Sequence, residues 1–261
     1  MSLDHDAGFG KPQKVTHDAF LGGRLTLCQP EAGFRAGLDS VLLAASVARD
    51  SRTILDLGAG VGTAGLCALA DIPEAVATLV ELDPDMAALA ERNARDNELS
   101  GRCRVIQCDV AAAGAEREAK GIARDHYDSV IANPPFFEAD AGTRAPDSKR
   151  ANARHMPIGT LDDWVRTAAA STAPKGEIIF INRVEALPQM LAAFSARLGS
   201  LTILPIQPRP GSPVTRVLVR GRKGSRAPLT MLAPLVLHGA EGHAFAPPVS
   251  DILMGRARLD W

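Results

Sequence analysis

Long apolar runs, paired cysteines, repeats and a sizeable net charge are all missing from this 261-residue chain, and each absence removes a class of protein. The longest uninterrupted apolar stretch, near Val41-Leu42-Leu43-Ala44-Ala45, falls far short of the roughly 18–20 residues that a membrane helix needs. Residues Met1 to Asp6 lack the basic-then-apolar form of a secretory signal, so a cytoplasmic location is expected. The four cysteines (Cys28, Cys67, Cys103 and Cys108) form no C-x-x-C pair, which points to reduced, packed thiols and no metal. No internal period or low-complexity run suggests a solenoid or a disordered tract.

What is present is ordinary globular composition, with 46% hydrophobic and 23% charged residues on a chain long enough to bury a real core. The net charge of −1 conceals an asymmetry: Arg144 to Arg226 carries 14 Lys/Arg against 5 Asp/Glu, a balance of +9, and the remainder stands at −10. A basic half beside an acidic half suggests a polyanionic partner held over one face.

Residues 1–18 read as a loose lead-in. Phe20 to Leu27 has the form of a hairpin around Gly22-Gly23, which supply the positive φ of a tight turn. A helix is expected from about Asp39 to Ala48, capped by Asp39 or Ser40. From Thr53 the chain alternates apolar runs with helical stretches. Strands are expected at Thr53–Leu57, Ala77–Glu81, Cys103–Gln107, Ser129–Ala132 and Glu177–Ile181, then a pair at Leu201–Ile206 and Val214–Arg220. This spacing predicts an α/β fold with a parallel sheet and right-handed crossovers. Thr160 is expected to cap the helix after the polar segment 138–157, and Pro234–Leu237 is a late strand. The organisation expected is a hairpin and helix over residues 1–50, a catalytic domain over 51–240 and an extension over 241–261.

Three stretches carry chemistry. After the first strand, Asp56-Leu57-Gly58-Ala59-Gly60-Val61-Gly62 has the form of a nucleotide-cofactor loop, in which glycine lets the backbone approach a ligand. Gly60-x-Gly62-x-x-Gly65 also satisfies the dinucleotide fingerprint, so a nicotinamide oxidoreductase or a non-catalytic nucleotide-binding domain is an alternative. Asp56 would repel a pyrophosphate and welcome an ammonium group, and Glu81, ending the second strand, can accept from both hydroxyls of a ribose. Both favour S-adenosylmethionine. Asp109, after the third strand, is placed either to accept from an adenine amino group or to cap the next helix.

The third stretch is Asn133-Pro134-Pro135-Phe136. A strand that runs into two prolines has left the sheet, because proline donates no ladder hydrogen bond and fixes φ. The Asn133 amide and the Pro134 carbonyl are then fixed acceptors at the carboxyl edge, and Phe136 offers a flat face: a site for a planar nitrogen group. Arg144, Lys149, Arg150 and Arg154 follow on the next loop, and Arg216, Arg220, Arg222, Lys223 and Arg226 cluster further on. If both groups flank the pocket they form a rim for phosphates, with Arg144, Arg150, Arg154, Arg220 and Lys223 as its candidate contacts. His155 and Trp164 read as packing or capping residues.

In this order, Asp56-x-Gly58-x-Gly60, Glu81, Asp109 and Asn133-Pro134-Pro135-Phe136 resemble the Rossmann-like class I S-adenosylmethionine-dependent methyltransferases that act on exocyclic or amide nitrogens. Phe34-Arg35-Ala36-Gly37-Leu38-Asp39-Ser40-Val41-Leu42-Leu43 is similar to the cofactor-covering segment of the bacterial tRNA1(Val) adenine-N6 methyltransferase family, which places Asp39 among the cofactor-binding residues. The resemblance spans roughly residues 18–240. It implies a seven-stranded, mostly parallel sheet with helices on both faces and the last strand antiparallel, and a substrate adenine in tRNA near the anticodon. Guanine N2 in ribosomal RNA and the N5 amide of a protein glutamine are substrates that share the motif.

Overall fold

Apolar runs of four to six residues that alternate with helices are what a parallel sheet buried on both faces requires, and the computed structural model places them so. It describes residues 14–33, 35–135 and 160–261. Strands β1 (Val15–Phe20) and β2 (Leu25–Pro30) form an antiparallel hairpin, followed by α1 (Leu38–Ala45). The alternating series is β3 (Thr53–Leu57), α2 (Thr63–Asp71), β4 (Val76–Glu81), α3 (Pro84–Asp96), β5 (Cys103–Gln107), α4 (Gly114–Ala119) and β6 (Tyr127–Ala132). Then come α5 (Thr160–Ser171), β7 (Thr172–Arg183), α6 (Leu187–Ser195), β8 (Gly199–Gln207) and β9 (Arg216–Arg222). The chain closes with β10 (Thr230–Met231), β11 (Leu235–Val236) and α7 (Pro247–Leu253).

The sheet runs β10-β8-β9-β7-β6-β3-β4-β5, with β11 also paired to β8. Pairs β3–β4, β4–β5, β3–β6 and β6–β7 are parallel, and β9 runs antiparallel to β7 and β8 on either side. The expected seven strands with an antiparallel last member are therefore present as β3 to β9, widened by two short strands that lie parallel to β8. From β3 the chain builds outward to β4 and β5, then returns to β3's other side with β6. That reversal opens a crevice at the carboxyl ends of β3 and β6, where α/β folds hold ligands.

Two cores sandwich the sheet. One joins Leu27 of the hairpin, Leu42 and Leu43 of α1, Leu66 and Leu69 of α2, and Val249 and Ile252 of α7. The other joins Leu55, Leu57, Val130 and Phe180 to Trp164 and Val165 of α5 and Phe194 of α6. The amino-terminal segment, the central sheet and the carboxyl-terminal extension thus share the first core. The last residues also close α1: Leu259 N–H donates to the Ala45 carbonyl at 3.0 Å and the Trp261 indole N–H to that of Ser46 at 3.1 Å. Carbonyls at a helix end have no partner within the helix, so this tail supplies them.

Several boundaries differ from those expected. Val15–Asp18 belongs to β1, in register with Leu27–Pro30, rather than to a loose lead-in. Helix α1 is capped by Gly37, whose carbonyl receives Ser40 and Val41 N–H, so Asp39 and Ser40 lie inside its first turn. The side chain of Thr160, expected as a cap, lies outside the described residues, as do Phe34, Phe136, Phe137, Arg144, Lys149, Arg150, Arg154 and His155.

Candidate active site

The loop leaving β3 is held in place by its neighbours. Ala59 N–H donates to the Val80 carbonyl at 2.9 Å, and Gly62 N–H to the Ala59 carbonyl at 2.8 Å. Glu81, at the end of β4, accepts Gly60 N–H at 2.7 Å on one carboxylate oxygen, and Leu82 and Asp83 N–H at 2.8 and 2.9 Å on the other. Gly58 has φ +67°, and a Cβ there would lie 2.4 Å from the Trp164 ring. Trp164 is accordingly a packing residue, buried at 8% exposure directly under the loop. Gly60 has φ +57° and faces open space.

Asp56 does not present its carboxylate at the surface. Side chains alternate along a strand, and Asp56 shares with Ile54 the face covered by α2. It is 2% exposed and accepts Gly65 N–H at 2.9 Å, stapling the start of α2 beneath the loop. Burial pushes its carboxyl up to about 7, the Gly65 amide opposes that rise, and the Glu81 charge adds to it. The expectation that Asp56 meets an ammonium group directly is corrected by this inward orientation: its place is below the loop, as support.

The other acidic candidates are spread along the carboxyl edge. Asp109 is exposed and accepts Ala111 N–H at 2.8 Å, a local turn. It does not cap α4, whose cap is Ala113. Asp39 accepts from the Arg216 guanidinium at 2.7 Å, an ion pair between α1 and the first residue of β9. That partner was not expected.

Asn133 follows β6 directly. Ala132 pairs with Leu57 of β3 on one side and Phe180 of β7 on the other. The next residue therefore emerges beside the Gly58 turn, in the crevice. Asn133 is half-buried, Pro134 is buried, and the Asn133 carboxamide makes no hydrogen bond among the described residues. Phe136 lies outside the described residues.

The basic cluster near the carboxyl terminus divides between the two edges of the sheet. Arg216 pairs with Arg183 at the carboxyl end of β7, whereas Arg222 pairs with Glu177 near its amino end. Because β9 is antiparallel, each residue after Arg216 lies further from the crevice. Lys223 is committed at the amino edge: its ammonium donates to Asp125 at 2.5 Å, to the Ala169 carbonyl at 2.7 Å and to the Thr172 carbonyl at 2.8 Å. The Arg220 guanidinium lies 4.6 Å from the centre of the Trp261 ring. Neither Arg220 nor Lys223 joins a rim around Asn133, which corrects the expectation for both. Arg216, opposite Arg183 in the register, lies at the carboxyl edge.

Three of the thiols, Cys67, Cys103 and Cys108, are held protonated. Burial pushes Cys103 up to about 12 and raises Cys67 and Cys108 as well. Among the described residues no group of three or more His, Cys, Asp or Glu side chains is placed to hold a metal ion.

These features fit a nucleoside-bearing cofactor. The positive-φ backbone at Gly60 leaves room where a side chain would stand, and the Glu81 carboxylate fixes the same loop from the β4 side. The methyltransferase small domain family model matches residues 35–149, a span that includes the glycine loop, Glu81 and Asn133. The chain is 38% identical to a predicted O-methyltransferase from Agrobacterium tumefaciens of known structure, with a TM-score of 0.72, covering 85% of this chain and 98% of that one. It is 28% identical to the tRNA1(Val) (adenine(37)-N6)-methyltransferase of Porphyromonas gingivalis, over 87% of this chain and 90% of the relative. It is 32% identical to the protein of that name from Shewanella loihica, over 64% of this chain and 69% of the relative.

Proposed function

This chain belongs to the methyltransferase family that includes the tRNA1(Val) (adenine(37)-N6)-methyltransferases, and on that premise we propose that it methylates the N6 of an adenine in tRNA, near the anticodon. The methyl donor is S-adenosylmethionine, so the nicotinamide reading of the glycine fingerprint falls away. The observation that carries the proposal is the Asn133 carboxamide, fixed by β6 at the crevice beside Gly58 and without a hydrogen-bond partner among the described residues.

An exocyclic amine has its lone pair delocalised into the ring and is a poor nucleophile. Asn133 Oδ1 and the Pro134 carbonyl accept its two N–H bonds, which favours a tetrahedral nitrogen and stabilises the positive charge that develops there. When bound, S-adenosylmethionine supplies an electrophilic methyl on a cationic sulfur. With it bound, Asn133 Oδ1 and the Pro134 carbonyl would hold the amino nitrogen in line as its lone pair replaced the carbon–sulfur bond, and the product nitrogen would lose its proton to water. No general base is required, so most of the remaining acceleration comes from positioning, up to roughly 7–11 kcal/mol in favourable cases. Phe136 is proposed to stack on the extruded base, a contact worth about 1–3 kcal/mol.

Glu81 is the proposed ribose ligand and Asp109 the acceptor for the cofactor's adenine, with Gly58 and Gly60 giving the backbone its close approach. Asp39 is reassigned to holding Arg216 at the edge. Arg216 and Arg183, with Arg144, Arg150 and Arg154 of the loop after the motif, are the proposed phosphate contacts. A base in an unpaired loop is cheap to extrude, which suits an anticodon-region target.

Transfer of labelled methyl to total RNA from a bacterium lacking this modification, followed by nucleoside analysis, tests the assignment. The expected product is N6-methyladenosine in the tRNA fraction. N2-methylguanosine in ribosomal RNA, or label in protein, would reassign the substrate, and no label in any fraction would overturn the activity.

A further inference from the structure

Two asparagines on α3 and just beyond it act as a substitute strand for the hairpin. The outer edge of β2 faces α3, where Cys28 and Thr26, two residues apart, would otherwise leave backbone groups unpaired. Asn93 accepts Cys28 N–H at 2.7 Å and donates to the Cys28 carbonyl at 3.0 Å. Asn97, one helical turn later, accepts Thr26 N–H at 2.9 Å and donates to the Thr26 carbonyl at 2.9 Å. Each carboxamide thus pairs with one residue as a neighbouring strand would, and the i, i+4 spacing matches alternate positions along β2.

Only Asn93 reaches further. Its amide nitrogen also donates to the Val61 carbonyl at 3.0 Å, inside the glycine loop. Asn97 instead directs that nitrogen to the Asn93 carbonyl of its own helix at 2.8 Å. The peptide between Val61 and Gly62 is therefore gripped on both sides: its carbonyl by Asn93, its N–H by the Ala59 carbonyl at 2.8 Å. A planar peptide held at both ends cannot rotate, and Gly60, one residue before it, keeps its open face. Asn93 is fully buried, although the desolvation of a carboxamide there is offset only because every one of these bonds is made.

We propose that Asn93 is a positioning residue for the cofactor, setting the shape of the glycine loop and tying it to the amino-terminal hairpin. The inference rests on the S-adenosylmethionine assignment and is independent of which RNA is methylated. Asn97 is the internal control, since it anchors the same hairpin without touching the loop.

Isothermal titration of the full chain with S-adenosylmethionine, beside thermal melts of the same samples, separates anchoring from positioning. Asn93→Ala is expected to weaken cofactor binding five- to tenfold, a tenfold change being about 1.4 kcal/mol. Asn97→Ala is expected to melt lower while binding the cofactor within twofold of the parent. If Asn93→Ala does not fold, Asn93→Asp keeps the volume and the acceptor for Cys28 N–H but removes the donor to both the Val61 and the Cys28 carbonyls, and the same loss of cofactor affinity is expected. Parent-like affinity in the folded Asn93 variant overturns the proposal, and so does an equal loss in Asn97→Ala. A parent that binds no S-adenosylmethionine strikes the cofactor assignment itself.

Discussion

The two edges of the central sheet treat similar side chains in opposite ways. At the amino edge, Lys223 directs three bonds to Asp125, Ala169 and Thr172, Asp128 receives Arg52 and Thr53 N–H, and Glu177 receives Ala48 N–H and the Ser129 hydroxyl. Polar groups there hold the fold together. At the carboxyl edge, the Asn133 carboxamide has no bond among the described residues, and Gly60 faces open space. A half-buried polar group is costly to leave unpaired, so the Asn133 carboxamide is the group at this edge that is prepared for a ligand.

Asp56 tests where that division falls, because it lies at the carboxyl half of β3 yet serves structure. Its folded value near 7 stands above its ordinary 3.8. The folded protein therefore holds this proton more tightly, and the stability it contributes is full below about pH 4 and lost as pH rises through 7. The shift corresponds to on the order of 4 kcal/mol. Chemical denaturation of Asp56→Asn and of the parent across this range should show the parent losing stability relative to the variant as pH rises. Parallel pH profiles would place Asp56 in solvent contact and on the functional side of the division.

A smaller effect is expected at the opposite edge. Lys223→Met removes a cation from the basic cluster and leaves the Ala169 and Thr172 carbonyls without their donor, at a cost of about 1–3 kcal/mol. Thermal melting should register that loss, while RNA affinity and its salt slope stay those of the parent. A shallower salt slope would return Lys223 to the RNA contacts and erase the contrast between the edges.

Much of this arrangement is legible in the chain before it folds. Strands buried on both faces read as apolar runs, the glycines after Leu57 mark a turn that needs positive φ, and a double proline after Ala132 ends β6 where a ligand can reach it. The inward turn of Asp56 was also within reach, since period-two alternation puts it on the face of Ile54. The basic cluster misled because nearness in sequence is not nearness in space: along the antiparallel β9, Arg216 and Lys223 end at opposite edges. Asn93 and Asn97 look like surface polar residues in Arg92-Asn93-Ala94-Arg95-Asp96-Asn97. Their role depends on β2 lying against α3, a contact between distant segments that local pattern does not encode.

Single-turnover methyl transfer by Asn133→Ala, at saturating S-adenosylmethionine, bears most directly on the Asn133 carboxamide as the group that does chemistry. Loss of a transition-state acceptor predicts a rate lower by on the order of 100-fold or more, with cofactor affinity within twofold of the parent. An unchanged rate, or a loss traced wholly to weaker cofactor binding, would contradict the account.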